Sequence, residues 1–304
     1  MSYNTRELTL ACLRSLARHP PHGEHEVMVV DNASTDGSLE AIRADFPNVK
    51  VLPLAGNLGF ARANNLAMRE AAGEVFVLLN SDTELHANSL TRLAEAFAAD
   101  PELAAAGGKL LNSDGSLQFG LRYDPRVTNA LSEGLFLHRL LAGPWFGEVE
   151  RRPSAYASRQ RAEWLSGAYL AVRREWWERV GGLDSGFFMY SEDADWCRRI
   201  RESGGRVEYL PESVVTHHGG GSSSGSGDLH VIRFLARDRY ARLHFSPARA
   251  LAYRLALALG LALRAAFALP LAPFGSRIRN GLVWRARAAW RLFADPLPLE
   301  PHHD

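Results

Sequence analysis

Apolar runs alternate with helical patterns through the first hundred positions of this 304-residue chain. The chain opens on a helical pattern, for which Asn4 and Glu7 predict a capping box. Apolar runs then predict buried strands, and apolar positions three or four residues apart predict helices. The predicted strands span residues 27–30, 49–54 and 75–79. The helices that follow them are predicted through Ile42 and Phe46, over 61–71 and over 88–98. This alternation predicts an open, mostly parallel sheet with helices on both faces.

The second part of the chain is less regular. Residues 112–160 scatter Gly, Pro and Arg among aromatic residues and predict a long excursion without regular structure. Residues 217–228 are almost wholly Gly, Ser and His and predict a mobile loop. Between these segments, and after the loop, regular patterns return. They predict strands over 165–172, 206–210 and 214–216, helices over 174–180 and 193–203, and further helices to the end.

These patterns predict a catalytic domain over residues 1–228 and a helical extension over 229–304. The domain divides into a nucleotide-binding half, residues 1–111, and an acceptor-binding half, residues 112–228. In open sheets of this kind, ligands bind beyond the carboxyl ends of the strands. Asp31, Asn57 and Asp82 each follow a predicted strand, so we expect three loops to converge on one crevice.

Composition narrows the classes of function. A formal net charge of +1 and a pI near 7.9 argue against a general nucleic-acid binder. Two cysteines far apart in sequence, Cys12 and Cys197, predict free thiols and no disulfide scaffold. No secretory signal opens the chain, and Arg249, Arg254 and Arg264 interrupt the long apolar run near the C-terminus. We therefore expect a cytoplasmic protein without a single-pass anchor.

Three polar clusters are candidates for chemistry. Asp82 follows an apolar strand, where a carboxylate binds a divalent cation or, more commonly, caps a helix. Glu192, Asp193 and Asp195 begin a helix, where they serve as caps or, beside the apolar run before them, include a base with a raised pKa. His217 begins a Gly-rich loop and is a metal ligand or an ordinary surface histidine. Together they indicate metal-assisted departure of a phosphate leaving group, opposite a carboxylate base.

Seven ordered blocks of sequence carry a more specific resemblance. They are SYNTRE from Ser2, VVDNASTDGS from Val29, NLGFARANN from Asn57, LLNSDTEL from Leu78, WLSGAYLAVRR from Trp164, GGLDSGFFMYSEDADWCRR from Gly181 and HHGGGSS from His217. Over roughly residues 2–245 the chain resembles family 2 glycosyltransferases of the GT-A fold. The similarity is to the rhamnosyltransferase-like branch, which acts in bacterial surface polysaccharide synthesis.

The resemblance implies an inverting hexosyltransferase that uses Mg²⁺ or Mn²⁺ and a dTDP- or UDP-sugar, with rhamnose favoured. It implies Asp193 as the base that deprotonates the acceptor, with Glu192 in support, and Asp82 with His217 as metal ligands. It also implies two binding sets. The nucleotide-sugar set is Asp31, Asn32, Asp36, Asn57, Gly59, Phe60, Asn64, Asn80 and Ser81, and the acceptor set is Trp164, Gly167 and Asp195.

Two departures from the family pattern matter. The metal-binding motif often reads Asp-x-Asp, but this chain has Asn80 at its first position, which weakens the predicted metal site. The family also has an apolar strand directly before the Ser-Tyr-Asn motif, and here that first strand is absent from the sequence. Because neighbouring strands would then have unpaired backbone groups, we expect this chain to have low stability.

Two other functions compete with the transferase. A catalytically impaired sugar- or nucleotide-binding module of the same fold is favoured by Asn80 and by the absent strand. A nucleotidyltransferase shares the sheet and metal, but the Gly-rich phosphate loop that it requires is missing from the sequence.

The C-terminal extension predicts a peripheral membrane contact near a glycan or lipid-linked acceptor. An apolar stripe of its first long helix is formed by Leu251, Leu255, Leu259 and Leu263. The helix after it has aromatic and basic residues that suit the lipid headgroup boundary, namely Trp284, Trp290, Arg285, Arg287 and Arg291. The alternative is that both helices pack into the core of the protein.

Overall fold

The computed structural model describes residues 1–219 and 227–297. These residues form two compact units. The first unit comprises residues 1–122, 152–184 and the stretch that begins at residue 193. The second comprises residues 123–151 and 185–192 together with the C-terminal helices, so it includes more than the predicted extension, 229–304.

Strands and helices are numbered in chain order. The strands, all in the first unit, are β1 Met28–Asp31, β2 Lys50–Pro53, β3 Val75–Leu79, β4 Thr83–Leu85, β5 Leu103–Leu111, β6 Leu117–Gln118, β7 Leu121–Arg122, β8 Gln160–Arg161, β9 Trp164–Leu165, β10 Tyr169–Arg173 and β11 Arg206–His217. The helices are α1 Arg6–Arg18, α2 Ser38–Asp45, α3 Gly59–Glu70, α4 Ser89–Ala99, α5 Val127–Gly134, α6 Arg174–Val180, α7 Glu192–Glu202, α8 Gly227–His244, α9 Pro247–Ala268 and α10 Ser276–Ala294.

The central sheet is mixed, and the prediction of a mostly parallel sheet is wrong in this respect. Its strand order is β3-β10-β5-β11-β4, with β6 beside β5 and β8 beside β11. β5 and β11 are parallel, whereas β10 runs antiparallel to both of its neighbours. β1 and β2 form a separate parallel pair, and β7 pairs with β9. The architecture is therefore α/β with helices packed on a mixed sheet.

Most predicted elements are present, with some corrections. β3 and α6 have the predicted bounds, whereas the predicted strand 165–172 divides into β9 and β10 around Gly167. The two strands predicted over 206–210 and 214–216 are one strand, β11, with an irregularity between Leu210 and Val214. The excursion 112–160 contains a helix, α5, besides short strands. The loop predicted over 217–228 lies largely outside the described residues.

The predicted capping box at the start of α1 is wrong. The helix begins at Arg6, and its N-cap is Thr5, which makes no side-chain capping hydrogen bond. Asn4 has a positive φ of 50° and its Oδ1 accepts a hydrogen bond of 2.7 Å from the Thr35 amide. Asn4 therefore stabilises the turn after β1, which belongs to the candidate site, and not the helix beside it.

The core of the first unit lies on both faces of the central sheet. One cluster packs β10 and β11 against α7, where Trp196 and Ile200 have no exposed surface. The other packs the opposite face against α4 through Leu93 and Phe97. These two layers hold β3 and β11, which lead into Asp82 and end at His217 respectively.

The second unit is helical. Its helices α8, α9 and α10 pack on one another, and α5 crosses α9. A Cβ atom added at Gly134 would lie only 2.9 Å from the Gly260 Cα, so these glycines allow the two helices to touch. Arg237 in α8 is buried with two carboxylates, Glu133 at 3.0 Å and Glu148. These contacts support the prediction that helices dominate the C-terminal region.

Candidate active site

Asn32 connects the loops that follow β1 and β2. Its side chain is fully buried, and its Nδ2 donates to Asn57 Oδ1 at 2.8 Å and to the Gly59 carbonyl at 3.3 Å. Its Oδ1 accepts from the Leu58 amide at 2.8 Å. Because the amide nitrogen and the amide oxygen of Asn32 both form hydrogen bonds with the loop after β2, Asn32 holds the two loops at a fixed separation. The sequence placed Asn32, Asn57 and Gly59 together, and the structure brings them into contact.

Asp31 offers a buried acceptor that no described residue uses. It is 2% exposed, and its Oδ2 accepts from the Ser34 amide at 3.1 Å. Its Oδ1 is buried and has no hydrogen-bond partner among the described residues. A buried acceptor without a donor is costly, so this atom is suited to an N–H or O–H group of a ligand.

Asp36 instead organises the surrounding backbone. Its Oδ2 accepts from the Arg6 amide at 2.8 Å, and its Oδ1 accepts from the amide and hydroxyl of Ser38. Loss of water around the carboxylate acts to raise its pKa, but these hydrogen bonds together lower it below the usual value. Asp36 thus fixes the first turns of α1 and α2. Its predicted contact with a nucleotide stays a prediction.

Phe60, Gly167 and Asp193 meet in one corner of the first unit. A Cβ atom at Gly167 would lie 3.3 Å from the Phe60 ring and 3.6 Å from Asp193 Cβ, so a larger residue would crowd both. Asn64 lies one turn beyond Phe60 and donates to the Phe60 carbonyl at 2.8 Å. Phe60 therefore shapes the surroundings of Asp193, whereas the Asn64 amide is engaged within its own helix.

Asp193 has the surroundings of a general base. Its Oδ2 accepts from the Gly167 amide and its Oδ1 from the Ala194 amide, each at 2.9 Å. The side chain is partly exposed. Loss of water around the carboxylate raises its pKa, although these hydrogen bonds and the charge of Arg122 oppose the rise. A carboxylate that holds a proton more readily than usual is a better acceptor for the proton of a hydroxyl group.

Arg122 and Trp164 lie on the neighbouring strands β7 and β9. The guanidinium carbon of Arg122 lies 5.5 Å from the centre of the Trp164 ring, within the range of a cation–π contact. The ring thereby restrains the cation whose charge lowers the pKa of Asp193. Trp164 was predicted as an acceptor-binding residue, and the structure gives it this second role.

Asp82, directly before β4, and His217, the last residue of β11, form a pair. His217 Nε2 lies 3.3 Å from Asp82 Oδ1, and His217 Nδ1 lies 2.7 Å from Gln118 Oε1. Gln118 also donates to the His217 carbonyl at 3.1 Å. An imidazole held through its Nδ1 in this way presents Nε2 in a fixed direction, as in many metal sites.

His218 faces a different set of partners. Its Nε2 lies 2.9 Å from Glu84 Oε1 and its Nδ1 lies 2.7 Å from Ser113 Oγ. Both ring nitrogens are therefore engaged away from Asp82. His217 therefore has a ring nitrogen close to Asp82, and its predicted role as a metal ligand stays a prediction.

The spacing of Asp82 and His217 suits two ligands of a divalent cation whose other ligands are water or substrate phosphates. Within residues 1–219 and 227–297, no group of three or more His, Cys, Asp or Glu side chains is arranged to hold a metal. Two ligands at adjacent corners of an Mg²⁺ octahedron lie about 3 Å apart, close to the observed 3.3 Å. Mg²⁺ in proteins commonly has one or two carboxylates and completes its shell with water and substrate phosphates.

The loop before Asp82 is held by a group of hydroxyls. Ser81 Oγ lies 3.1 Å from Thr5 Oγ1, and Thr5 in turn contacts the hydroxyls of Ser2 and Thr9. The Asn80 carbonyl accepts from Thr83 Oγ1 at 2.7 Å. These contacts position the loop between β3 and β4. The side chain of Asn80 is an amide, so this loop has no second carboxylate at the first position of the motif.

Two other predicted acids, Asp195 and Glu192, are buried. Asp195 is buried and its Oδ2 lies 2.8 Å from two nitrogens of Arg199, which also donates to the carbonyls of Val180 and Gly182. Through Arg199, Asp195 therefore anchors the loop before α7. Glu192, in the second unit, is 5% exposed. The predicted roles of both residues stay predictions.

Sequence reasoning missed three residues of the site. Asn65 donates to the Leu183 carbonyl at 2.7 Å and accepts from the Leu183 amide at 2.9 Å. Gln118 orients His217, and Arg122 acts on Asp193. Asn65 adjoins a predicted residue, which was a usable signal. The partners of Gln118 and Arg122 are distant in sequence, so only the fold reveals their roles.

Comparison with known proteins identifies the family. Residues 1–199 match the protein family described as glycosyl transferase family 2. The chain belongs to glycosyl transferase family 2. It is 31% identical over 216 residues to an N-acetylglucosaminyl-diphospho-decaprenol L-rhamnosyltransferase of Mycobacterium tuberculosis, a match that covers 67% of this chain and 70% of the relative. The resemblance seen in the sequence is thereby confirmed.

Solved structures support the GT-A fold of this family 2 glycosyltransferase. The mannosyltransferase PcManGT from Pyrobaculum calidifontis, in complex with GDP-Man and Mn²⁺, matches with a TM-score of 0.57 and 21% identity, over 97% of this chain and 85% of that one. GalNAc-T7 with UDP, GalNAc and Mn²⁺ also matches with a TM-score of 0.57, at 18% identity, over 94% of this chain and 55% of that one. At these identities the likeness establishes the fold.

Proposed function

We propose that this glycosyltransferase moves a hexose, with L-rhamnose favoured, from a dTDP- or UDP-sugar to a hydroxyl group of a glycan or lipid-linked acceptor. The reaction inverts the anomeric centre and belongs to cell-surface polysaccharide synthesis. The name of the mycobacterial relative supports both the sugar and the lipid-linked class of acceptor. The observation that carries the proposal is the setting of Asp193, a partly exposed carboxylate whose pKa is raised by loss of water.

Asp193 acts on the acceptor. Its carboxylate takes the proton of the acceptor hydroxyl as the oxygen attacks the anomeric carbon and the bond from that carbon to the diphosphate oxygen breaks. Attack on the face opposite the leaving group inverts the configuration. The amides of Gly167 and Ala194 fix the direction of the carboxylate, because each donates to one of its oxygens.

The donor is held on the other side of the site. Asp31 Oδ1 accepts from the nucleoside, since it is a buried acceptor without a partner among the described residues. Asn32 fixes the loops around it. Asp82 and His217 would hold Mg²⁺ or Mn²⁺, which would supply positive charge that stabilises the diphosphate leaving group. The neighbours solved with Mn²⁺ and a nucleotide or nucleotide-sugar support this assignment.

A direct assay separates a transferase from an impaired binding module. The full chain is incubated with Mn²⁺ and a set of nucleotide-sugars, with and without a lipid-linked N-acetylglucosamine acceptor. Release of nucleoside diphosphate that requires both the acceptor and one donor supports the transferase. Donor binding without any acceptor-dependent release would instead support the impaired module.

We further propose a cytoplasmic enzyme that contacts the inner face of the cell membrane through its C-terminal helices. Leu251, Leu255 and Leu259 lie one turn apart on α9 and are 52%, 51% and 48% exposed. Leu263 is less exposed and continues the stripe. The α9 and α10 sequences contain eight Arg and no Asp or Glu. An exposed apolar stripe next to positive charge is suited to an anionic lipid surface.

Part of the predicted membrane surface packs inside the second unit. Trp284 stacks on His230, with ring centres 4.6 Å apart, so it is not free to insert among lipids. Trp290 is 64% exposed, which is compatible with the predicted membrane contact. The stretch Pro247–Leu271 is long and apolar enough to cross a membrane, and 22% of its most apolar window is buried. By length and composition this stretch therefore meets the requirements of a span, contrary to the expectation from its arginines.

Vesicle flotation tests the membrane proposal. The full chain is expected to float with vesicles that contain phosphatidylglycerol at low salt and to be released by carbonate. Replacing Leu251, Leu255 and Leu259 by Gln should abolish flotation, because three exposed apolar side chains are lost. Leu140→Gln, at a residue that is 83% exposed outside these helices, is the matched control and should float normally. Full recovery of the unaltered chain in the soluble fraction would contradict the proposal, and resistance to carbonate would indicate a span.

A further inference from the structure

The segment 185–192, in the second unit, leads directly into the candidate base, Asp193. Two neighbouring residues of this segment, Tyr190 and Ser191, have positive φ angles of 72° and 66°. Residues other than glycine rarely adopt this left-handed conformation, which costs conformational energy. Such a backbone persists only where the surrounding structure over-determines it. Contacts from outside the segment therefore hold the turn that precedes Asp193.

Arg239, in α8, supplies one of these contacts. Arg239 and Phe187 are both fully buried. The guanidinium carbon of Arg239 lies 5.2 Å from the centre of the Phe187 ring, within the range of a cation–π contact. A guanidinium without water is costly unless other groups compensate its charge, and the ring is one such group. The contact therefore restrains Arg239 and Phe187 together.

Gly186 leaves room for the same guanidinium. A Cβ atom at this position would overlap the Nη2 and Cζ atoms of Arg239 and would lie 2.8 Å from its Nε. The φ of Gly186 is not positive. This glycine therefore provides space for Arg239, and its backbone freedom is not what the position requires. The backbone of the segment lies directly against the guanidinium.

Arg233 supplies a second contact from the same helix. Its guanidinium carbon lies 4.6 Å from the centre of the Tyr190 ring. Tyr190 is the first of the two residues with a positive φ. Two arginines of α8 thus contact both ends of the stretch 186–190, one at its glycine and one at its strained turn.

α8 is itself held firmly within the second unit. Asp238 is fully buried and accepts from Arg242 at 2.9 Å and from Arg254, in α9, at 2.7 Å. Arg237 pairs with Glu133 at 3.0 Å. These ion pairs use other side chains than the contacts with the segment, so a variant in one set can serve as a control for the other.

We propose that Arg239 is a positioning residue for sugar transfer. It holds residues 186–191 in the conformation from which α7 begins, and it thereby directs the Asp193 carboxylate towards the acceptor. This role rests on the proposed function of Asp193 as the base. A displacement of about 1 Å in a reacting group can lower a rate by about 100-fold. A helix start that is free to move would therefore slow transfer without weakening donor binding.

Steady-state kinetics of the full chain test this role. Arg239→Met, which has a similar length and no charge, should lower kcat by about 10- to 100-fold while donor affinity stays within about twofold. Gly186→Ala should act in the same way, because the added Cβ displaces the guanidinium. Arg254→Met is the matched control. It removes an ion pair of the second unit and should lower the melting temperature without lowering kcat.

The Asp193→Asn background separates positioning from general damage. If Arg239 acts through Asp193, Arg239→Met should change the residual rate of Asp193→Asn by less than about twofold, because two changes that act through one group are not additive. Multiplied losses in the double variant would overturn the proposal. An equal fall of kcat in Arg254→Met and Arg239→Met would also overturn it.

Limited proteolysis tests the contact without sugar transfer. Cleavage by chymotrypsin after the buried Phe187 requires the segment to open, and its rate follows the population of the open form. This rate should rise by about 10-fold in Arg239→Met and Gly186→Ala but not in Arg254→Met. An unchanged rate would overturn the proposal. Full activity of Asp193→Asn would instead overturn the proposed function of Asp193, so the two failures are distinguishable.

Discussion

Replacement of Asp193 by Asn is expected to lower kcat by about 10²–10⁴-fold, the usual contribution of a general base, while donor affinity stays nearly unchanged. The amide occupies the same volume and still accepts one hydrogen bond, from Gly167 or from Ala194, but it cannot take a proton from the acceptor. The measurement is steady-state turnover together with equilibrium binding of the nucleotide-sugar.

Arg122→Met provides the matched control for this variant. Because the charge of Arg122 lowers the pKa of Asp193, its removal should raise that pKa further. Activity requires the deprotonated base, so the acid limb of the pH–rate profile should move to higher pH, with turnover retained above it. If Asp193→Asn keeps more than about a tenth of the rate of the unaltered enzyme, the base lies elsewhere.

Chelation by EDTA is expected to abolish transfer, and Mn²⁺ or Mg²⁺ is expected to restore it. Asp82→Ala should weaken donor binding as well as turnover, because the cation proposed at Asp82 would stabilise the diphosphate of the donor. This double effect distinguishes Asp82 from Asp193, whose replacement affects turnover alone. Donor affinity is measured by calorimetric titration with and without Mn²⁺, and turnover is measured in parallel.

The two adjacent histidines give a control for the metal site. His217→Gln should reduce the Mn²⁺ dependence of donor binding, since its Nε2 faces Asp82 at 3.3 Å. His218→Gln should have little effect, because its ring contacts Glu84 and Ser113. Full activity in EDTA would show that transfer does not require a metal. Helix N-termini and arginines would then have to stabilise the diphosphate.

The strands that could be predicted are those with β-branched and large apolar residues. β3 reads VFVLL and was predicted with its observed bounds. β5 reads LAAAGGKLL, contains no β-branched or aromatic residue, and was not predicted, although it is a central strand of the sheet. Its small residues suit the close packing around it. A Cβ at Gly108 would overlap the Ser213 carbonyl. Tertiary packing, not local propensity, makes this segment a strand.

The direction of β10 could not be predicted either. Its sequence, YLAVR, is typical of a buried strand in any sheet. Its antiparallel pairing with β3 and β5 depends on the path of the chain between residues 112 and 168, where the sequence pattern is irregular. The prediction of a parallel sheet extended the pattern of the first hundred residues beyond the region that supports it.

Candidate residues at strand ends could be predicted, but their orientations could not. Asp31 and His217 are the last residues of β1 and β11, and Asp82 lies in the loop that follows β3, as expected. Which histidine turns toward Asp82 depends on Gln118, which lies 99 residues away in sequence. Similarly, the sequence does not show that Asp195 is buried against Arg199, whereas Asp193 is partly exposed and accepts from the Gly167 and Ala194 amides.

The anomeric configuration of the transferred sugar tests the central claim most directly. The purified product of the acceptor-dependent reaction is compared with its nucleotide-sugar donor by the one-bond carbon–proton coupling at the anomeric carbon. An inverting enzyme with Asp193 as base predicts the opposite configuration in product and donor. Retention of the donor configuration would contradict the account, because attack by an acceptor deprotonated at Asp193 displaces the diphosphate from the opposite face.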